Sequence, residues 1–129
     1  MKILPFLVRA AIVTLSFVAS SAAHSGGDAA RGKTVYESLC SGCHALDENR
    51  YGPAHRGVFG RKAGLAPDYS YSEALYSSKV IWTNESLDRW LIDPAMFIPG
   101  TKMTISVPDA AERRDVIEYL KAQSPGKAQ

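Results

Sequence analysis

Apolar positions recur along this chain at helical spacing, and glycine and proline cut them into blocks. The first block follows Asp28, a good N-cap whose charge suits the positive end of a helix dipole. Gly32, Tyr36 and Leu39 then share one face by i, i+3 and i+4 spacing, which predicts a helix running to about Leu39. Gly32 weakens that helix by itself, but it lets another backbone approach closely. From Tyr51 to Pro67 the stretch YGPAHRGVFGRKAGLAP holds Gly52, Pro53, Gly57, Gly60 and Gly64, and reads as loop. A short helix is expected around Ser72–Ser78. A clearer one runs from about Asn84 to Ile92, capped by Asn84 or Thr83, with Leu87, Trp90 and Leu91 apolar and Pro94 as its stop. The last helix begins near Pro108 or Asp109 and ends near Ala122. Val116, Tyr119 and Leu120 form one face with Ile117 at its edge, and Glu112 and Arg113 to Asp115 read as its solvated side. No segment alternates as a half-buried strand would. The class is small all-α with long loops.

One apolar run lies outside this pattern. Lys2 and Arg9 sit in a short positive leader, Ala10 to Ala19 (AAIVTLSFVA) is uncharged, and Ser21, Ala22 and Ala23 are small. That is the order of a cleavable secretory signal, with the cut placed after Ala23. The run is half the ~20 residues of a membrane span, and Arg9 blocks its extension; an uncleaved anchor is the weaker alternative. The expected division is a signal peptide at 1–23 and one domain at 24–129, with its core at 27–122 and a loose tail at 123–129. The leader carries two of the 15 basic residues and none of the 13 acidic ones, so the remainder is formally neutral. Nothing then supports a nucleic-acid surface. A domain this small gains from a large apolar filler.

The chemistry concentrates in CSGCH, residues 40–44, which contains both cysteines of the chain. Three residues apart on a helical turn, Cys40 and Cys43 project to one side, with His44 adjacent. Two thioethers to haem vinyl groups would fix the ring there and set the His44 imidazole under the iron; this is the c-type haem attachment pattern. A thioredoxin-like dithiol expects a βαβ context that the chain lacks. Zinc needs two further ligands, of which His55 offers one while His24 lies near the N-terminal end. A 40–43 disulfide closes a tiny, strained loop and leaves His44 unexplained. Motif, export signal and helical context favour haem.

At this point the chain resembles class I cytochrome c, especially the bacterial cytochrome c2 and mitochondrial-type branch. The resemblance spans Gly27 to Leu120 and rests on GDAARGKTVYESLCSGCH, GPAHRGVFGRKAG, the stretch IWTNESLDRWLIDP, and IPGTKM. It implies a small fold with crossing N- and C-terminal helices, three to five helices in all, wrapped around one covalent haem c. Gly32 and Tyr36 would meet Val116, Tyr119 and Leu120 at that crossing. The resemblance puts the second iron ligand at Met103, a soft neutral thioether that favours reduced iron; Met96 is the competitor within the chain. It implies Arg61, Tyr71, Trp82 and Thr101 as propionate and pocket residues, and a Pro53 carbonyl that accepts from the His44 ring and strengthens it as a ligand. Trp90 falls near the methionine ligand, in place of the usual tyrosine. Leu75 stands where a pocket asparagine is common, and the loop from His44 to Gly52 is short. His55 occupies a usually aliphatic position; a hydrogen-bonded histidine is the plainer reading, and a second ligand set the alternative.

The resemblance further implies a soluble, monomeric electron carrier, not an enzyme, located with its signal in the periplasm. Its partners would be a cytochrome bc1 complex as donor and an oxidase, reductase or photosynthetic reaction centre as acceptor. Leu39 and Ala95 occupy two positions where mitochondrial forms carry docking lysines, Asp109 falls in a third stretch, and Lys102 remains. A haem enzyme or gas sensor is the first rival and needs an open iron position, against which Met103 counts. A haem-free zinc or dithiol module is the second.

Overall fold

Each long helix begins where a short polar side chain caps it. Helix α1 (Ala29–Leu39) starts after Asp28, whose carboxylate accepts from the Arg31 N–H at 2.8 Å. The structure is a computed structural model and describes residues 26–124 and residue 126; the leader and its cleavage point lie outside these residues. Helix α2 (Glu73–Tyr76) is a single turn capped by Ser72, shorter than expected. Helix α3 (Asn84–Ile92) is capped by Thr83, not Asn84. Thr83 and Ser86 satisfy each other's backbone N–H, a reciprocal cap. Helix α5 (Ala110–Ala122) starts after Asp109, whose carboxylate accepts from Ala111 and Glu112 at 2.8 Å each.

Pro94 does stop α3, but it also opens a further short helix, α4 (Pro94–Phe97), where Asp93 caps Met96. A proline at the first helical position has no N–H to satisfy and its φ already fits. No strand occurs among the described residues, only one antiparallel bridge between Lys62 and Ile81.

Helices α1 and α5 cross in backbone contact. A Cβ on Gly32 would lie 1.9 Å from the Asp115 carbonyl oxygen, and one on Gly27 would lie 2.1 Å from that of Arg114. Beside this crossing Tyr36 leans on Tyr119 with ring centroids 5.3 Å apart. Tyr36 of α1, Leu87, Trp90 and Leu91 of α3, and Val116 and Leu120 of α5 belong to one hydrophobic core.

The expected solvated side of α5 is not solvated at two of its positions. Arg113 and Asp115 are buried. Arg113 donates to Asp88 on α3 at 2.7 Å and to the carbonyls of Val107 and Pro108. Asp115 accepts two bonds from Arg31, at 2.8 and 3.0 Å, and one from the Asp28 N–H at 2.7 Å. Both charges tolerate burial because every bond is charge-assisted. Gln123 and Ser124, read as the start of a loose tail, are also held. The Gln123 carbonyl accepts from Gly57 N, and Ser124 Oγ accepts from Phe59 N at 3.1 Å. These bonds tie the end of α5 to the loop that leads back to the cavity.

Candidate haem site

Helix α1 delivers the CSGCH turn. The Cys40 N–H closes the helix on the Tyr36 carbonyl at 2.9 Å, and both Cys43 N and His44 N bond to the Cys40 carbonyl. Both thiols are free and line one cavity of about 290 Å³. A single water needs roughly 10–15 Å³ on this measure, so the space is built for something far larger than solvent. Burial, with Cys43 next to it, pushes the Cys40 thiol up to about 11. A thiol held protonated is the reverse of an activated redox thiolate, which counts against the dithiol reading.

His44 shows the clearest preparation for a ligand. Its Nδ1 lies 2.8 Å from the Pro53 carbonyl. A carbonyl only accepts, so Nδ1 carries the proton and Nε2 keeps its lone pair. Burial lowers the His44 pKa from the usual histidine value against the opposing pull of the Pro53 bond. Burial thus favours the neutral ring, the form in which a histidine binds a metal. Gly52 makes room for it: a Cβ there would lie 2.2 Å from His44 Cε1 and 2.6 Å from both ring nitrogens.

The IPGTKM segment reaches the same cavity through a tight turn. Pro99 and Gly100 are its central residues, Gly100 has φ +93°, and Thr101 N donates to the Ile98 carbonyl at 3.1 Å. This is a type II turn, which needs glycine at its third position. Thr101 Oγ1 then accepts from Met103 N at 3.3 Å. Met103 lines the cavity, whereas Met96 is 78% exposed and is not among its lining residues.

All ten residues singled out from the sequence line this one cavity: Cys40, Cys43, His44, Pro53, Arg61, Tyr71, Trp82, Trp90, Thr101 and Met103. Arg61 is steadied by bonds to the Ala54 and Arg56 carbonyls. Tyr71 Oη accepts from Ala66 N at 3.0 Å, so its own proton is free to donate. Trp82 and Trp90 pack at 5.3 Å. Leu75, at its unusual position, is also lining. Sequence reasoning missed Val58 and Val107, both buried and both lining the cavity. No signal distinguished them, because an apolar side chain reads alike whether it packs on protein or on a ring.

His55 is hydrogen-bonded, as its plainer reading required: Nδ1 lies 3.1 Å from the Tyr36 hydroxyl. Burial, with His44 and Arg61 nearby, lowers its pKa well below the usual histidine value. Among the described residues no group of three or more His, Cys, Asp or Glu side chains is placed to hold a metal ion.

Two free thiols on one turn, a neutral imidazole with a spare nitrogen and a large apolar cavity with a few polar donors define a covalent haem-binding fold. The comparisons with known proteins agree. The cytochrome c family profile matches residues 29–124. Cytochrome c of Euglena viridis is 41% identical over 98 residues, covering 74% of this chain and 96% of the relative. Cytochrome c2 of Rhodopila globiformis is 39% identical, covering 74% and 92%. Among solved structures, cytochrome cH from Methylobacterium extorquens superposes with a TM-score of 0.71 at 41% identity, covering 74% of this chain and 99% of that one. Cytochrome c2 from Rhodospirillum centenum gives 0.72 at 36%, covering 77% and 100%. The chain belongs to the cytochrome c family, as a class I c-type cytochrome whose cofactor is one covalent haem c. Its function at this level is that of a single-haem electron carrier.

Proposed function

We propose that this chain is an exported, periplasmic electron carrier and not an enzyme, with Cys40 and Cys43 as the haem thioethers and His44 and Met103 as the axial ligands. The observation that carries this reading is the shared cavity: the CSGCH turn and the Met103 loop line the same space, and Met96 does not. The bound haem supplies one-electron exchange between ferric and ferrous iron. The chain's own residues hold it ready for that exchange. Pro53 orients His44 and makes it a stronger donor. Thr101 steadies the backbone at Met103, whose thioether favours the reduced state. Arg61, Tyr71, Trp82 and Thr101 are the donors for the propionates, which are costly to bury without them. Trp90, Val58 and Val107 keep water away. With His44 and Met103 both held as iron ligands, no iron position would be left open for a substrate, which supports a carrier over an enzyme.

The signal-like leader and the likeness to a bacterial cytochrome c2 support export to the periplasm. No helix among the described residues is long and apolar enough to cross a membrane. Donor and acceptor are read from the family likeness: a cytochrome bc1 complex on one side, and an oxidase, reductase or photosynthetic reaction centre on the other. Such docking is small and brief, because a carrier must leave quickly. Leu39, Tyr51 and Ile105 are exposed at residues that also line the cavity, with Lys102 among them. An apolar rim with one lysine supports weak electrostatic steering.

The test is the visible spectrum of the holoprotein with added cyanide, carbon monoxide or peroxide, beside mass spectrometry of the peptide carrying Cys40 and Cys43. A low-spin spectrum, slow ligand binding and a haem-sized mass increase are expected. A high-spin iron with fast ligand binding would sink the carrier reading, and an unmodified peptide would sink attachment.

A further inference from the structure

His55 stands two residues beyond Pro53 and lines the same cavity as His44. Its ring lies nearly parallel to that of His44, with 18° between planes and 4.0 Å between centroids. It is anchored at two points. Its backbone N–H donates to the carbonyl of Ala45, the residue after His44, at 2.9 Å. Its Nδ1 pairs with the hydroxyl of Tyr36, which is buried and leans on Tyr119 of α5. A flat ring is thus tethered to the α1–α5 crossing, where the two helices meet in backbone contact.

Among the described residues the His44 ring has one hydrogen bond, from Nδ1 to the Pro53 carbonyl. That bond sets where Nδ1 points. It resists only weakly a rotation of the ring plane about its own axis. A surface pressed on the ring does resist that rotation, and His55 supplies one that Tyr36 keeps from sliding.

We propose that His55 is a positioning residue for the axial histidine: its ring, tethered by Tyr36, sets the plane in which His44 presents Nε2 to the iron. The inference rests on the His44 ligation proposed above. Partners of this kind behind a metal-bound histidine orient the ligand and tune the metal. The plane of an axial imidazole in turn sets how unpaired spin spreads over a low-spin ferric haem. His55 would thereby shape the spin pattern without touching the iron.

The experiment compares four full-length holoproteins in the ferric state by proton NMR and by thermal melting: wild type, His55→Leu, His55→Phe and Tyr36→Phe. His55→Leu removes both the flat face and the tether. His55→Phe keeps a flat face, and Tyr36→Phe cuts the tether alone. The expected result is a changed order or spread of the hyperfine-shifted haem-methyl resonances in His55→Leu, with smaller changes in the other two. The shifted ring protons of His44 persist throughout. A lowered melting temperature with an unmoved methyl pattern shows a packing role only and overturns the proposal. If His55→Leu does not accumulate, an unmoved pattern in both His55→Phe and Tyr36→Phe overturns it equally. Absence of the His44 ring protons from the wild type overturns the ligation reading, and the inference with it. Their presence with an unmoved pattern removes only the role of His55.

Discussion

Replacing Gly32 with alanine sets two effects against each other. In an isolated helix the change stabilises by about 1 kcal/mol. In this fold the new Cβ would stand 1.9 Å from the Asp115 carbonyl oxygen, 2.5 Å from its carbon and 2.9 Å from Tyr119 Cβ. Heavy atoms pack at about 3.5 Å, so α1 and α5 must separate by roughly 1.5 Å along that line. The obstacle is backbone and cannot rotate away. Separation loosens the Arg31–Asp115 bonds and the packing of Tyr36 on Tyr119. Overpacking costs about 1–3 kcal/mol, and a backbone-on-backbone collision belongs at or above the top of that range. After the helix gain, the net loss is about 2–3 kcal/mol. At about 4–8 °C per kcal/mol for a domain of this size, Tm falls by roughly 8–24 °C. The assay is thermal unfolding of the holoprotein followed by far-UV circular dichroism. Gly26→Ala, whose Cβ would meet nothing within 4 Å, serves as control and should change stability by no more than about 0.5 kcal/mol. A Gly32→Ala protein melting at or above the wild type would refute the backbone crossing.

Three further outcomes are expected. Gly52→Ala drives a Cβ into the His44 ring and displaces it from Pro53; the acid transition of the ferric spectrum to high spin should move to higher pH, and an unmoved transition would show that the ring is not confined there. Asp115 is held below the ordinary carboxylate value of about 4, first by its hydrogen bond from Arg31 and also by the Asp28 N–H. A depressed carboxylate stabilises above its unfolded pKa and stops doing so as pH falls through its folded one. The Tm gap between wild type and Asp115→Asn should therefore be full at pH 6 and close below about pH 4; a gap independent of pH contradicts the assignment. Electron transfer to an acidic redox protein should slow only mildly as salt rises, well short of the ~10–10³-fold that charge steering supplies; a steep fall would show a stronger docking charge than Lys102 provides.

The sequence made the helix starts legible because their signals are local. Asp28, Thr83 and Asp109 each cap a backbone two or three residues on. Pro94 was ambiguous for the same reason, since a proline both ends one helix and suits the first turn of the next. Burial of Arg113 and Asp115 was not legible. Their partners Asp88 and Arg31 lie 25 and 84 residues away, and a charge reads as solvated until its partner is known. In the site, Cys40, Cys43 and His44 could be read from the spacing of CSGCH together with the export signal and the helical context. Met103 could be preferred to Met96 only through the family likeness, because a lone methionine carries no pattern. The stack of His55 on His44 joins residues whose meeting depends on how one loop turns over another.

The central claim is that one cavity holds a haem iron between His44 and Met103. The most direct measurement is the long-wavelength absorption band of ferric methionine–iron ligation, recorded for Met103→Ala and Met96→Ala holoproteins. The band should vanish in Met103→Ala and persist in Met96→Ala. A band that survives loss of Met103, or one that disappears with Met96, would contradict the account.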